Sequence, residues 1–235
     1  MIMARSLVFA ALFYGFSTLT ALAMLPLLLC PRRWMILAMR FWSDLTLALL
    51  SAICGVRIEI RGREHLPRGA GLIGAKHQSM FDTLGPLSVF EDCAYVLKRE
   101  LLNIPFYGWY CRKGGMIAVD RGAQAKALRA LLADAIRCAK AGRQIVIFPE
   151  GHRVAPGESG DYKPGVAALY RALDLPCTPM ATNSGVHWPA HGLRRQPGLI
   201  VYEFLEPIPA GLSRPEFMRT LEDRLESASN ALLLE

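Results

Sequence analysis

The sequence predicts an α/β domain, with a mixed central sheet flanked by helices, that follows an N-terminal membrane-anchoring helical segment. Long apolar runs dominate the first 56 residues, as expected of a membrane-associated segment. From Val56 onward, short apolar runs alternate with helical patterns, which is typical of an α/β fold. With 52% hydrophobic residues, 20% charged residues and a mean hydropathy of +0.25, the chain is neither disordered nor collagen-like.

The length and the charge pattern narrow the organisation further. A chain of 235 residues fits one large domain with an appended segment. We therefore assign residues 1–56 to a membrane anchor or interfacial helical segment and residues 57–235 to a globular domain. The net charge of +7 arises between Lys98 and Arg143, where ten basic side chains accompany three acidic ones. Such a segment favours anionic or phosphate-bearing partners.

The first apolar run predicts a transmembrane helix. Ser6 to Pro31 contains no charged residue, and a membrane span needs about 20 apolar residues. Arg5 precedes the run and Arg32-Arg33 follows it, so the positive-inside rule places the rest of the chain on the cytoplasmic side of the membrane. The alternative is a signal peptide cleaved after Ala21-Leu22-Ala23, although the apolar run continues beyond that point.

The second apolar stretch, residues 34–56, predicts an interfacial helix or a hairpin that returns to the same membrane face. Arg40 and Asp44 interrupt it and leave twelve uninterrupted residues, 45–56, which are too few to span a bilayer. Trp34 and Arg40 suit the headgroup region. The alternative is a buried amphipathic helix of the globular domain.

The globular part contains strand and helix signals in alternation. Strands are predicted for seven short, partly β-branched runs, which are Val56–Arg61, Gly71–Ala75, Ala94–Leu97, Met116–Val119, Gln144–Phe148, Pro179–Thr182 and Leu199–Leu205. A helix is predicted from Ala123 to Ala141, followed by Gly142 as its stop. Ser213 and Glu216 form the capping-box pattern of a last helix. Together these elements predict a mixed sheet.

Neither the cysteines nor the paired histidines indicate a metal site. The six cysteines are at least 18 residues apart and contain no C-x-x-C pair, so reduced thiols are expected. His187 and His191 have the spacing of a helical metal pair, but Pro189 between them argues against a helix. We therefore expect no metal and no bound cofactor.

His77 and Asp82 are the first candidate catalytic residues. Five residues apart, they would project about 140° from each other on an ideal helix. They can meet across a turn if His77 ends a strand and Asp82 lies in the first helical turn. The carboxylate would then accept a hydrogen bond from one imidazole nitrogen and leave the other nitrogen free to take a proton.

Four blocks together carry a family resemblance. Lys76–Thr83 contains H-x-x-x-x-D, and the blocks Gly114–Gly122, Ile147–Arg153 and Leu175–Gly185 follow in order. The set resembles the four motifs of the glycerolipid acyltransferases, in particular the bacterial 1-acyl-sn-glycerol-3-phosphate acyltransferases. The pattern F-P-E-G-x-R combined with H-x-x-x-x-D is highly specific. The sequence departs from the family at His152, where Thr is usual, and at Ala118-Val119, where Phe-Ile is frequent.

The resemblance implies roles for individual residues. His77 would be the catalytic base and Asp82 would orient it. Substrate-binding roles map onto five residues, of which Arg153, Arg121 and Lys98 would contact a phosphate, Glu150 would shape the glycerol site and Gly151 would permit a turn. Converging cations suit a phosphomonoester, which carries about −1.5 to −2 charges. For Arg121 and Lys98 the alternative is a solvated charge, and for Glu150 and Arg153 it is an internal salt bridge.

The implied activity is transfer of a fatty acyl group from acyl carrier protein or coenzyme A to the sn-2 hydroxyl of lysophosphatidic acid, forming phosphatidic acid in phospholipid biosynthesis. Direct transfer is expected because no cysteine or serine has an evident activating partner. The expected partners are lysophosphatidic acid, acyl-CoA or acyl carrier protein, and membrane lipids. The resemblance to bacterial enzymes implies a location at the inner membrane of a bacterium, with the catalytic domain facing the cytoplasm. Other acceptors remain open, namely glycerol-3-phosphate, dihydroxyacetone phosphate and a lyso-aminolipid. So does a noncatalytic lipid-binding module. Nucleic-acid binding is not expected because the basic segment lacks a binding motif.

Overall fold

The structure, a computed structural model, describes residues 1–120 and 124–235. In these residues one sheet of seven strands has the order β1-β7-β6-β2-β5-β3-β4. The strands are β1 (Val56–Arg61), β2 (Gly71–Ala75), β3 (Cys93–Lys98), β4 (Ile117–Val119), β5 (Gln144–Ile147), β6 (Cys177–Thr182) and β7 (Gly198–Phe204). The predicted strands are confirmed, with ends that differ by at most two residues.

The structure contains helices that the sequence did not predict, in addition to those that it did. They are α1 (Ile2–Ala23), α2 (Arg32–Cys54), α3 (Gly85–Val89), α4 (Tyr107–Gly114), α5 (Gln124–Lys140), α6 (Gly165–Leu173), α7 (Ser184–His187) and α8 (Arg214–Ala231). The predicted helix before Gly142 is confirmed as α5. At the start of α8, the backbone N–H of Glu216 donates to Ser213 Oγ at 3.4 Å. Half of the predicted capping box is therefore present.

The second apolar stretch forms a single helix, and neither Arg40 nor Asp44 interrupts it. Helix α2 runs through both for 23 residues, with Asp44 exposed to solvent. Gly55 ends the helix in the left-handed conformation, with φ of 69°. By length and composition, α1 and α2 are each apolar enough to cross a membrane.

Parallel pairing brings five strand ends to one edge of the sheet. Strand β2 lies between β5 and β6 and is parallel to both. Strand β3 is parallel to β5 and to β4. The carboxyl ends of β2, β3, β4, β5 and β6 therefore lie together, at what we call the carboxyl edge. Strand β7 is antiparallel to β6 and parallel to β1. Functional groups of open α/β sheets collect at such an edge.

The two faces of the sheet bury different helices. Ile73 and Val146 face a core that also contains Phe9 of α1, Leu50 of α2 and Leu87 of α3. On the opposite face, apolar side chains of β2 and β5 pack against α5, α6 and α8. This second core includes Leu72, Ile145, Leu131, Val166 and Leu221. Neighbouring strand residues supply opposite cores because side chains alternate across a pleated sheet.

The α1–α2 hairpin lies along the domain. Near the start of α1, the backbone N–H of Arg195 donates to Ser6 Oγ at 2.8 Å. Near the end of α1, the Tyr110 hydroxyl donates to the carbonyl oxygen of Ala21. Ser43 of α2 donates to the carbonyl oxygen of Leu84 at 2.8 Å. Residues 1–56 therefore share polar contacts and an apolar core with the rest of the chain.

Candidate active site

His77 and Asp82 meet across a turn. His77 follows the end of β2, and Asp82 lies in a short 3-10 helix, Met80–Thr83. Nδ1 of the imidazole is 3.1 Å from Oδ2 of the carboxylate, which is a hydrogen-bond distance. The arrangement that the sequence predicted for these two side chains is confirmed.

Asp82 is fully buried and is held from several directions. Its Oδ2 accepts the backbone N–H groups of Gln78 at 2.6 Å and Ser79 at 2.8 Å. Its Oδ1 accepts the hydroxyl of Ser184 at 2.5 Å. Hydrogen bonds of this kind stabilise the ionised carboxylate and fix its orientation. A carboxylate that cannot rotate holds the imidazole in one plane.

The ring of His77 is held from the side by Phe148. The two rings stack with centroids 4.1 Å apart and an interplanar angle of 21°. The His77 side chain is 12% exposed. Within residues 1–120 and 124–235, its Nε2 has no hydrogen-bond partner. That nitrogen is therefore available to a hydroxyl group that enters from solvent.

Glu150 lies behind His77. Its carboxyl is fully buried, with Oε1 2.6 Å from Nζ of Lys76 and Oε2 accepting the backbone N–H of His77 at 3.2 Å. Burial raises the pKa of Glu150, and the Lys76 ammonium opposes that rise. With both oxygens occupied, the Glu150 carboxyl holds His77 in place. The internal salt bridge that the sequence left open is formed with Lys76 and not with Arg153.

Lys76 connects Glu150 to the last helix. Its Nζ also donates to both carboxylate oxygens of Glu226 on α8, at 2.7 and 2.9 Å, and to the carbonyl oxygen of Glu158 at 3.0 Å. The Tyr162 hydroxyl donates to Glu226 at 2.9 Å. The Lys76 side chain is only 1% exposed. Its ammonium contacts two carboxylates and one carbonyl oxygen, and such pairing offsets the cost of burying a charge. No local pattern in the sequence indicates a role for Lys76 or Glu226.

The predicted phosphate ligands Arg153 and Lys98 lie at the carboxyl edge. Arg153 is exposed, and the neighbouring Val154 N–H donates to the carbonyl oxygen of His77 at 2.8 Å. Lys98 is exposed at the end of β3. In the part of the chain that the structure describes, neither side chain has an ion-pair partner. Arg121 lies outside the described residues.

Gly151 and the fourth block complete the edge. Gly151 has a φ of 70°, so the predicted turn conformation is present. Asn183 follows β6 and accepts the Val201 N–H at 2.9 Å, which ties β6 to β7. The N–H of Gly185 donates to Oε1 of Gln78 at 3.0 Å. The fourth block, Leu175–Gly185, therefore holds the first block, Lys76–Thr83, through a buried hydrogen bond.

The assembled groups can perform general base catalysis. A buried carboxylate orients an imidazole whose second nitrogen is open, which is the arrangement needed to remove a proton from an attacking hydroxyl. The serine hydroxyls beside it are already engaged. Ser79 Oγ accepts the Phe81 N–H at 3.0 Å, and Ser184 donates to Asp82. Both serines are fully buried, which disfavours them as nucleophiles.

Comparisons with known proteins identify relatives of this chain. Residues 57–183 match the family model described as Acyltransferase. A 1-acyl-sn-glycerol-3-phosphate acyltransferase of Pseudomonas aeruginosa is 36% identical over 186 residues, covering 79% of this chain and 72% of that protein. A human 1-acyl-sn-glycerol-3-phosphate acyltransferase alpha is 28% identical over 184 residues, which are 77% of this chain and 65% of the human protein.

A solved structure shows the same fold. The crystal structure of the 1-acyl-sn-glycerophosphate acyltransferase PlsC from Thermotoga maritima matches with a TM-score of 0.83 at 21% identity, covering 100% of this chain and 99% of the other. The family model covers more than half of the chain, and the Pseudomonas relative matches across most of both sequences. The chain therefore belongs to the acyltransferase family.

Proposed function

We propose that this chain is a membrane-associated 1-acylglycerol-3-phosphate O-acyltransferase. It transfers a fatty acyl group from a thioester of coenzyme A or acyl carrier protein to the sn-2 hydroxyl of lysophosphatidic acid, and phosphatidic acid is the product. The observation that carries the proposal is the His77–Asp82 pair, 3.1 Å apart at the carboxyl edge, in a chain of the acyltransferase family. The names of the relatives support the choice of acceptor.

The proposed mechanism is direct transfer. Nε2 of His77 takes the proton of the sn-2 hydroxyl as the hydroxyl oxygen attacks the thioester carbonyl carbon. Asp82 stabilises the imidazolium that forms. Collapse of the tetrahedral intermediate breaks the carbon–sulfur bond, and the departing thiolate receives the proton from His77. A positioned base of this kind contributes about 10²–10⁴-fold to the rate.

A covalent acyl-enzyme on cysteine is disfavoured by the position and burial of the thiols in the sheet, since Cys93 and Cys177 begin β3 and β6 at the edge opposite His77. Cys93 and Cys177 are buried in the sheet, and burial raises the pKa of each to about 12. A thiol with so high a pKa supplies very little thiolate at neutral pH. The serines beside His77 are buried and hydrogen-bonded, as described above. The acceptor hydroxyl itself is therefore the nucleophile.

The acceptor phosphate binds to the exposed cations of the carboxyl edge. Arg153, in the segment that follows β5, the strand beside β2, supplies a bidentate guanidinium, and Lys98 supplies an ammonium from the end of β3. Arg121 retains its proposed role as a third phosphate ligand. Glu150 and Gly151 shape the site through the backbone, since the Glu150 carboxyl is turned inward.

The hairpin supplies the membrane attachment of the proposed anchor, residues 1–56. Because α1 contacts the domain near both of its ends, the hairpin lies in one leaflet and does not cross the bilayer, in place of the transmembrane helix that the sequence predicted. Its outward side chains include Leu12, Leu19, Leu37 and Phe41, each about half exposed or more. Arg32 and Arg33 favour the cytoplasmic face of the cell membrane, which also gives the catalytic domain access to cytosolic donors.

The proposed function is tested by thioester consumption with the full chain in lipid vesicles. Free thiol release is compared for lysophosphatidic acid, glycerol-3-phosphate and no acceptor, each with the same acyl-CoA and, separately, the same acyl carrier protein thioester. We expect turnover that depends on lysophosphatidic acid, with phosphatidic acid as the product. Equal thiol release with and without every acceptor would overturn the proposal.

A further inference from the structure

The outward face of α5 carries an unusual concentration of positive charge. Lys126, Arg129, Arg137 and Lys140 fall within about 80° of one another on an ideal helix and span about 21 Å. All four side chains are exposed. We call these residues the α5 stripe. Along one flank of the stripe, Ile136 is 36% exposed and adds an apolar contact surface.

Little within α5 neutralises the stripe. The sequence of α5 contains one acidic residue, Asp134, and its Oδ1 lies 2.6 Å from Nη2 of Arg137. By contrast, α8 on the same face of the sheet has four acidic and three basic residues in its sequence. The positive charge is therefore a property of α5 and not of this whole side of the domain.

The stripe faces away from the hairpin. Leu131, Ala135 and Cys138 pack α5 against the second core, whereas Phe9 and Leu50 of the hairpin lie in the first core on the opposite side of the sheet. If the outer face of the hairpin lies in lipid, the stripe points into the aqueous phase. A soluble partner therefore fits this surface better than an anionic bilayer does.

The stripe also begins near the catalytic residues. Helix α5 starts a few residues after β4, whose carboxyl end lies at the same edge as that of β2. Strand β4 is three positions from β2 in the sheet order, a distance of about 14 Å at ordinary strand spacing. A partner seated on the first turns of α5 would be within reach of His77 through a flexible arm.

We propose that the α5 stripe is the docking surface for an acidic acyl carrier protein, which delivers the acyl thioester to His77. The inference rests on the proposed function. It identifies acyl carrier protein, and not coenzyme A, as the carrier of the thioester that the chain binds through this surface. A convex helix face fits the surface of a small acidic helical protein, whereas small ligands favour concave sites. Charge complementarity of this kind speeds encounter and sets partner choice.

The test compares two donors that carry the same acyl chain. Full-length protein in vesicles is assayed with acyl carrier protein thioester and with the coenzyme A thioester, as the wild type and as the Lys126→Glu/Arg129→Glu variant. We expect the KM for the carrier thioester to rise at least about tenfold, while the KM for the coenzyme A thioester changes less than about twofold. Arg137→Glu/Lys140→Glu, farther from the carboxyl edge, is expected to have a smaller effect.

The matched control is Arg214→Glu/Arg219→Glu, which reverses two exposed charges of α8 on the same face of the sheet. We expect it to leave both donors unaffected. Equal losses with both donors would overturn the proposal in favour of a coenzyme A site, and loss of vesicle binding would do so in favour of a lipid surface. An unchanged KM for the carrier thioester would also overturn it.

Direct binding separates failure of this inference from failure of the proposed function. Fluorescence anisotropy of labelled acyl carrier protein is measured with the same full-length variants, without an acceptor. Binding that is at least about tenfold weaker for Lys126→Glu/Arg129→Glu than for the wild type supports the docking surface, even if lysophosphatidic acid is not the acceptor. Equal binding by the wild type and by Lys126→Glu/Arg129→Glu overturns the docking surface, whatever the acceptor proves to be.

Discussion

Ser184 Oγ lies 2.5 Å from Oδ1 of Asp82, although the two residues are 102 positions apart in the chain. The contact joins the segment after β6 to the segment after β2. It leaves Oδ2 of the same carboxylate for His77 and for two backbone N–H groups. Ser184 therefore holds the Asp82 carboxylate through the oxygen that does not contact the imidazole.

Removing the Ser184 hydroxyl should slow turnover without weakening substrate binding. In Ser184→Ala, Asp82 loses one charge-assisted hydrogen bond, which is worth roughly 1.5–3 kcal/mol. We expect kcat to fall about tenfold or more, with KM for both substrates nearly unchanged. Ser229→Ala is the control, because Ser229 is also buried but its hydroxyl has no hydrogen-bond partner among the described residues. A wild-type kcat in folded Ser184→Ala would contradict the positioning role.

His77→Ala should abolish acyl transfer because it removes the proposed base. We expect a loss of about 10²–10⁴-fold in kcat, with vesicle binding and thermal unfolding close to those of the wild type. Asp82→Asn should also lose most activity, since the amide cannot stabilise an imidazolium as a carboxylate does. His191→Ala, at an exposed position, is the control. Turnover by folded His77→Ala at the wild-type rate would exclude the mechanism.

Arg153→Ala should weaken binding of a phosphorylated acceptor more than binding of the thioester. The loss of a charge-assisted contact predicts an increase of about 10–100-fold in the KM for lysophosphatidic acid. The corresponding change for monoacylglycerol, which has no phosphate, should be small. Arg171→Ala on the exposed face of α6 serves as the control. Equal increases in KM for the two acceptors would reject the phosphate assignment.

Glu226→Gln should reduce kcat from a distance, because Glu226 holds Lys76, Lys76 holds Glu150, and Glu150 holds the backbone of His77. We expect a decrease of about tenfold in kcat with little change in KM. Asp223→Asn, exposed on the same helix, should have no effect.

A second control for Glu226 separates positioning from stability. Leu225→Ala removes a fully buried side chain of α8 and should lower the Tm. It should nevertheless retain kcat at temperatures where the protein is folded. If the activity of Glu226→Gln simply follows its folded fraction, the residue is structural and does not position His77.

Placing charge on the outer face of the hairpin should release the protein from membranes. Leu37 and Phe41 are 51% and 62% exposed, so Leu37→Glu/Phe41→Glu should leave the fold intact while opposing insertion. Vesicle cosedimentation measures the effect. Leu128→Glu/Ile136→Glu on α5, at 39% and 36% exposure, is the control that should remain bound. Full retention of the hairpin variant on vesicles would exclude this face as the lipid contact.

The sequence by itself predicted the strands, α5, the start of α8 and the His77–Asp82 pair. These features depend on information within a few residues, namely the alternation of side chains in a strand, the 3.6-residue period of a helix and the reach of a carboxylate across a turn. The four sequence blocks could be assigned to strand ends for the same reason. Parallel pairing then brought those ends to one edge of the sheet.

The tertiary structure decided which of these residues face substrate and which support them. Glu150 is turned inward because Lys76, itself held by Glu226 of α8, lies beside it, and a charge buried in the interior must be paired. Ser184 reaches Asp82 because β6 neighbours β2 in the sheet. Helix α2 continues past Asp44 because that side chain points to solvent. Such partners are distant in the chain, and no local pattern encodes the strand order or helix packing that brings them together.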